Sequence, residues 1–456
     1  MTSPIRRPED PPHALRTIRA EFAPMLRLAA PLALAELGWI AMGFVDMLMV
    51  GRLGAVALGA SSLGNMVMYP IAMCGVGVLL GMDTLVSQAH GAEDHHESRR
   101  TLIDGVWLGL ALSPVVALAI LAAVPVLRAA GANPDVIAQL GPYLNALLWG
   151  LPGLMLYSSF RHYLQSVDVV HPVMFALVSA NLINLAGNWL LIYGRLGAPA
   201  MGLKGSGLST SVSRFYMAAV LLITIIWHER RTGNLLRSIS WLPQLARVRR
   251  LVSLGLPAAG QILFEGAVFG IVTALAARLD AASLAAHGIA VQVIATTYMV
   301  PLGISSAAAV RVGQAIGRQD AHGAAAAGWT ALLFSGGFMS AAGVALWVAP
   351  RWIAGVFIRD AAVVAIATGL LRIAAFMELF DGFQVVATGA LRGLGDTRSP
   401  MLAHLAGYWI LGLPVVYVLC FVLGWGVSGI WYGLTAAIML IGIVLVAVWW
   451  LRVRTG

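Results

Sequence analysis

The chain has 456 residues, of which 59% are hydrophobic and only 11% charged. Soluble domains carry about 25% charged residues, so this chain has too little polar surface to face water on every side and belongs in lipid. The formal net charge of +9 does not point to nucleic acid, because the arginines fall at the ends of apolar runs. A spanning β-barrel would read as short alternating segments. The runs here are long, unbroken and rich in Ala, Leu and Gly, which leaves α-helices to satisfy the backbone in hydrocarbon. Cys74 and Cys420 each lie inside an apolar run and read as packing residues rather than a disulfide or metal framework. No Gly-rich phosphate loop with its Lys and Ser/Thr is present, so no ATP-driven step is expected.

Residues 1–24 hold Pro and Arg, without the apolar core or small-residue cleavage site of a signal peptide, and read as a cytoplasmic segment. Six spans of about 20 apolar residues or more follow, at 25–50, 56–82, 102–126, 137–160, 173–193 and 202–227. A basic stretch, 228–250, contains Arg230, Arg231, Arg237, Arg247, Arg249 and Arg250 with Trp241 and Pro243, and reads as a cytoplasmic linker resting on anionic headgroups. Six more spans lie at 252–277, 282–310, 325–349, 362–391, 401–423 and 427–450. With the N-terminus placed in the cytoplasm, 20 of the 29 Lys and Arg residues fall on the cytoplasmic side. Seven fall outside, and Arg214 and Arg372 fall within spans. That bias sets both termini in the cytoplasm of a bacterial-type inner membrane.

The halves repeat. At an offset of 226 residues, Pro31 matches Pro257 and Arg52-Leu53 matches Arg278-Leu279. In the same register Gln88-Ala89, Gly91 and Asp94 match Gln314-Ala315, Gly317 and Asp320. Further on the offset becomes 228, pairing Asp168 with Asp396 and Pro172 with Pro400. Six spans per half is an even number, so both halves enter the membrane from one side. This is a parallel repeat about an axis along the membrane normal. The fold expected is an all-α polytopic membrane protein: twelve transmembrane helices in an N-lobe (25–227) and a C-lobe (251–456) around a central cleft.

Charge inside lipid is costly unless it faces a cavity or a partner, so six acids inside or close to spans draw attention: Glu36, Asp46, Asp83, Glu265, Glu378 and Asp381. Lys204, the one lysine, sits at a helix end, which leaves only Arg214 and Arg372 as internal cationic partners. Glu265 lies near the middle of the seventh span and Asp381 a little past the middle of the tenth, both at cavity depth. Glu378 and Asp381 are three apart and share a helix face. Two carboxylates that close do not both ionise comfortably in low dielectric, so one is expected to hold a proton near neutral pH. Such an acid can exchange a proton or cation for a cationic substrate; the alternative is a hydrogen bond to a neighbouring helix. Asp46 is open to structural and transport roles alike. Glu36, ten residues earlier, points to a different face and cannot share its site. Asp83 reads as a helix-end acid satisfied by snorkelling or loop contacts. Asn184 and Asn188, four apart on the fifth span, either bond neighbouring helices or supply oxygens to an ion. His90, His95 and His96 fit no zinc spacing and read as solvated loop.

Several segments resemble the MATE (multidrug and toxic compound extrusion) family, within it the NorM-like branch. They are Pro31 through Gly64 with Gly43-Phe44-Val45-Asp46; Leu254-Gly255-Leu256-Pro257 with Phe264-Glu265 and Ala285-Ala286-His287; Arg311-Val312-Gly313-Gln314 with Gly317 and Asp320; Phe380-Asp381-Gly382 with Gln384, Gly389-Ala390-Leu391-Arg392-Gly393 and Gly395-Asp396; and Tyr408-Trp409 with Gly412-Leu413-Pro414. The resemblance implies twelve helices in two lobes forming a V-shaped cleft. It implies export of cationic or amphipathic drugs in exchange for H⁺ or Na⁺, by a chain needing no cofactor. Asp46 matches the family's aspartate on the first helix, with Asn184 and Asn188 near it. Glu265 and Asp381 match the acidic pair of the second lobe, where Na⁺ would bind. One departure stands out. Where NorM-like members often have a tyrosine one turn before the tenth-helix aspartate, this chain has Met377, a poor Na⁺ ligand, and Glu378 is the residue that would compensate. The expected partners are small organic cations and membrane lipid, with no nucleic acid, and the chain is expected to be a monomer. A lipid-linked precursor flippase of the same superfamily is the competing reading, disfavoured by an acidic cleft. A membrane enzyme has no His/Asp or Ser/His arrangement to support it.

Overall fold

A computed structural model describes residues 11–129, 131, 133–231 and 240–455. Arg6 and Arg7 at the N-terminus and Arg237 of the linker lie outside the described residues. Among the described residues, eleven helices are long and apolar enough to cross a membrane. They are α1 (Pro11–Gly51), α2 (Ala55–Gly91) and α3 (His95–Ala129), then α5 (His171–Tyr193) and α6 (Leu203–Arg231). In the second half come α7 (Leu245–Ala276), α8 (Ala281–Gly317), α9 (Ala321–Val348), α10 (Ala361–Leu394), α11 (Arg398–Val422) and α12 (Gly426–Thr455). The fourth crossing, α4, is broken into Pro134–Leu148 and Leu151–Ser166. Pro152 supplies no N–H to the Leu148 carbonyl, and Gly150 packs so tightly on α6 that a Cβ there would come 2.6 Å from Ser211 Oγ. The twelve helices make the two lobes.

Several helices outrun their sequence-derived spans. The second reaches Gly91 rather than residue 82, with a tightened turn at Leu80. Both ends of the 228–250 stretch are helical: α6 runs to Arg231 and α7 starts at Leu245. Trp241, Gln244 and Arg247 dock on α3. Trp107 Nε1 donates to Trp241 O at 2.8 Å, Gln244 N to Asp104 Oδ1 at 2.8 Å, and Arg247 to Glu97 and Asp104 at 2.6 and 2.8 Å.

The sequence repeat is a structural two-fold. At the 226-residue offset, Glu93 and Gln319 both take a left-handed φ of 59°. Asp94 and Asp320, which follow them, both cap the next helix, accepting from Glu97 N and Gly323 N. Further along, the geometry corrects the register by one. The left-handed residue after α4 is Asp168 (φ 63°), and its counterpart after α10 is Gly395 (φ 88°), not Asp396. Asp396 instead accepts from Ser399 N and Arg452. Burial alone would raise its carboxyl, but the Ser399 and Arg452 donors outweigh that and hold it below the usual carboxylate range.

Each lobe has its own core, and the two exchange helix starts. Met25, Leu28 and Leu32 of α1 pack in the C-lobe core, and Leu251 and Ala259 of α7 pack in the N-lobe core. The exchange brings α1 against α8 and α2 against α7. At the end of the bundle where both termini lie, backbone meets backbone in symmetric pairs. A Cβ on Gly77 would come 2.7 Å from Ala259 Cα, and one on its counterpart Gly303 would meet Ala33 N. Gly91 abuts Gln314 O, and Gly317 abuts Gln88 O. Hydrogen bonds seal the same end: Thr84 Oγ1 to Arg392 O at 2.6 Å, Gln88 Nε2 to Gly393 O at 3.0 Å, Gln314 Nε2 to Ser166 O at 3.1 Å and Arg311 to Glu21 at 2.8 Å. Toward the other end the burial pattern changes. Residues 81–87 and, apart from the half-buried Leu302, 301–310 are buried, whereas 281–300 and 55–70 present an exposed face, including Met66 at 70% and Tyr69 at 54%. The lobes therefore close at the terminal end and part at the far end.

Gly77→Leu is expected to disfavour this closure by about 1–3 kcal/mol, the usual cost of overpacking. Cysteines placed at 88 and 393, in a background lacking Cys74 and Cys420, would then crosslink several-fold more slowly than in the same background with Gly77.

Candidate functional site

At the apex of the V, both lobes line a cavity of about 180 Å³. Its walls come in pairs related by the repeat: Met73 with Met299, Val76 with Leu302, Leu80 with Ser306, and Glu36 and Trp39 of α1 opposite Ile262 and Glu265 of α7. The backbone is symmetric there and the chemistry is not, since each lobe contributes one acid at a different turn.

Glu36 is not free. Its Oε1 accepts from Arg161 Nη2 on α4, and both side chains are about nine-tenths buried (11% and 13% exposed). Asp83 is not a helix-end acid satisfied by loop contacts: it is fully buried, with Oδ1 bonded to His162 Nδ1 at 2.8 Å and Gln165 Nε2 at 2.7 Å. Its other oxygen lies 3.5 Å from Arg392 Nε, across the lobe interface. Internal cationic partners are thus more numerous than Arg214 and Arg372. Arg99 holds Glu229 at 2.6 Å, while Arg372 is exposed and lies over Trp347. Sequence alone places Arg161 and Arg392 at the helix ends. Their long side chains reach back toward the cavity.

The remaining acids have polar company but no Lys or Arg within ion-pair distance among the described residues. In the N-lobe, Asp46 Oδ1 accepts from Asn188 Nδ2, which also reaches Asn184 Oδ1 at 3.1 Å. Asp46 Oδ2 is 3.2 Å from Thr210 Oγ1, whose single proton is also offered to Ser206 O at 3.1 Å. Asn184 and Asn188 are fully buried, one turn apart on α5. Arg214, a turn beyond Thr210, turns instead to Leu147 O at 3.4 Å.

In the C-lobe, Glu265 stands on the cavity wall with Tyr298 OH 3.4 Å from Oε1 and His404 Nε2 3.9 Å from Oε2. His404 Nδ1 donates to Pro400 O at 2.8 Å, which leaves Nε2 as the nitrogen facing Glu265 and Gln261. Asp381 and Glu378 lie on one face of α10 but turn to different neighbours. Gln384 Nε2 donates to Asp381 Oδ1 at 2.8 Å and reaches Tyr408 OH at 3.1 Å. Thr297 Oγ1 donates to Glu378 Oε1 at 2.9 Å, and Glu378 Oε2 is buried with no hydrogen-bond partner among the described residues. Met377 is fully buried. His404 and Tyr408 flank the start of a π-helical stretch, Leu405–Gly412. Such wide turns re-aim side chains and cluster at functional sites.

The MatE family model matches residues 31–190 and 257–418, one stretch in each lobe. The chain belongs to the MATE family. Its relatives include the probable multidrug resistance proteins NorM of Mesorhizobium japonicum, 34% identical over 443 residues covering 96% of this chain and 95% of that one, and of Pseudomonas aeruginosa, 36% identical over 437 residues covering 94% and 89%. Its fold is that of the eukaryotic MATE transporter AtDTX14 (TM-score 0.85, 18% identity, 96% of this chain and 98% of that one). It is also that of a multidrug resistance MATE transporter in an outward-facing conformation (TM-score 0.85, 18% identity, 99% of each). The MATE resemblance carried by the sequence motifs, and its NorM-like branch, stand.

What sequence reading missed in this MATE-family chain is the polar company of the acids: Thr210 for Asp46, Tyr298 and His404 for Glu265, Thr297 for Glu378. Thr210 carried no signal among many polar residues of the sixth helix. His404 did carry one, as a histidine inside an apolar run.

The Glu36–Arg161 pair supplies a stability test. Arg161→Met strands a mostly buried carboxylate and is expected to cost about 3–5 kcal/mol, read by thermal unfolding in detergent. Adding Glu36→Gln should recover most of that loss. If the double variant is no more stable than the single, the two residues do not act as a pair.

Proposed function

We propose that this protein is a secondary multidrug efflux antiporter that exports organic cations or amphipathic compounds in exchange for H⁺ or Na⁺ by alternating access. The carrying observation is Glu265, a carboxylate without a Lys or Arg partner on the wall of a cavity shared by two lobes that are closed at one end only. An ion or a cationic substrate neutralises it. Either one biases the lobes to the extent that its affinity differs between the two arrangements. The terminal end is taken as cytoplasmic, in keeping with the arginine bias, so the arrangement described is outward-open. The NorM relatives are named as probable multidrug resistance proteins, which supports the same substrate class.

Asp381 and Glu378 act with Glu265, and Asp46 with Asn184 and Asn188 forms the N-lobe's own ion-sensitive centre. Of the two ions, the proton suits Glu265 better. The polar atoms nearest its oxygens are a phenol hydroxyl and an imidazole nitrogen, whereas hard cations prefer carboxylate, carbonyl and water oxygens. The protein needs no bound cofactor and works as a monomer.

In proteoliposomes, a pH gradient is expected to drive uptake of a cationic dye, with an Na⁺ gradient alone driving at least about tenfold less. Asp381→Asn and Glu265→Gln should each abolish that movement while the variant remains in the membrane at wild-type level. Unchanged dye efflux from Asp381→Asn would falsify the mechanism.

A further inference from the structure

We propose that a groove on the lipid-facing side of the C-lobe holds one anionic phospholipid, with an acyl chain lying between α9, α10 and α12 and the phosphate at Arg454. The proposal rests on the chain being embedded in a membrane and not on the efflux reading.

The groove has a volume of about 390 Å³ and its wall is apolar throughout. Trp329 of α9, Phe380 and Phe383 of α10, and the face of α12 from Gly442 to Trp450 form it. At its mid-membrane end Gly442 lets α12 close on α10: a Cβ there would come 2.8 Å from Phe380 O. Further along, the small and exposed Ala447 leaves the space open. The floor is Phe380 and Phe383, packed edge to face with their centroids 6.4 Å apart. At 3.6 residues per turn they lie roughly 140° round α10 from Val385, Thr388 and Arg392, which line the central cavity. The groove is therefore separate from that cavity and opens outward. Its mouth is exposed at Ile443 (55%) and Trp450 (42%). On a spanning helix such a surface meets hydrocarbon, so the natural occupant is a lipid chain. Gly442 to Trp450 covers about 12 Å at 1.5 Å per residue, which fits within one leaflet of a core about 30 Å thick.

The rim at the terminal end is basic. Arg454 is exposed, its guanidinium lies 3.8 Å from the centroid of the Trp450 ring, and among the described residues it forms no ion pair. His322, two turns before Trp329 on the same face of α9, is exposed as well. The acids of the adjoining turns are already engaged: Asp320 accepts from Gly323 N, and Asp396 accepts from Ser399 N and Arg452. A phosphate complements this rim, since its oxygens match the planar fork of an arginine. The same stack recurs in the other lobe, where α6 ends with Arg231 at 3.7 Å from the Trp227 ring. Tryptophan settles at headgroup level and an arginine above it reaches the phosphates. In the C-lobe that stack caps a groove able to take the chain, which turns a general interfacial device into a site for one lipid.

The competing view is that Arg454 reaches any lipid that passes and the groove is ordinary helix surface. Native mass spectrometry of the purified full chain separates the two. The protein is held in neutral detergent and given phosphatidylglycerol and phosphatidylcholine with identical acyl chains in equal amounts. Wild type is expected to retain one phosphatidylglycerol, favoured about fivefold over phosphatidylcholine, the contribution of one arginine at a headgroup surface. Arg454→Gln should bring that ratio close to one. Ala447→Phe fills the groove from an exposed position and should lower retention of both lipids at least about fivefold. Arg249→Gln removes an equal charge from the terminal end but outside the groove, and should leave the ratio as it is in wild type. Equal retention of the two lipids by wild type would overturn the proposal, and so would an Ala447→Phe protein that keeps wild-type occupancy. A ratio that falls as far in Arg249→Gln as in Arg454→Gln would overturn it in favour of diffuse charge attraction.

Discussion

A carboxylate inside a membrane protein is tolerable only when something neutralises it, because burying an unpaired charge in a low-dielectric interior costs many kcal/mol. This chain answers that constraint in two ways. Glu36, Glu229 and Asp104 are held by arginines at or below 2.8 Å, and Asp83 by a histidine and an amide. These acids are compensated by the fold itself. Asp46, Glu265, Glu378 and Asp381 receive hydroxyl, amide or imidazole contacts instead. Their remaining charge calls for something that arrives from outside. The division does not follow depth alone, since the compensated Glu36 and the uncompensated Glu265 line the same cavity.

The pseudo-two-fold explains how such a cavity is built and opened. Contacts such as Gly77 on Ala259 and Gly303 on Ala33 repeat across the lobe interface, so closure at one end is made of two copies of the same backbone approach. Glycine is required there because no Cβ fits. The exchanged starts of α1 and α7 tie each lobe to the core of the other. Any rocking of the lobes must therefore bend or slide these two helices, which also carry Glu36, Asp46 and Glu265. Ion binding and lobe geometry meet on the same elements.

Much of the architecture was legible because lipid imposes a simple rule: long apolar runs span and arginines mark the ends. The places where spans were misjudged have local causes. Pro152 and Gly150 break the fourth crossing, which hydropathy averages over. The second helix continues to Gly91 because residues 83–91, though polar, find partners across the lobe interface. Without knowledge of that interface, Asp83 looks like a solvated helix end. The Asp168 and Asp396 pairing failed by one residue because the two turns use different residues, Asp and Gly, for the same left-handed conformation.

The sequence by itself determined the membrane class, the two-fold repeat, the family and six of the acids in or close to the spans, though not the buried Asp104 and Glu229, since each follows from composition, spacing or motif along the chain. The tertiary structure alone decided which acids are neutralised and which are not. That outcome depends on arginines and a histidine that lie between 79 and 309 residues away from the acids they approach, and it depends on which end of the bundle is closed. Charge in a low dielectric is settled by distances of a few ångströms, and no one-dimensional pattern records them.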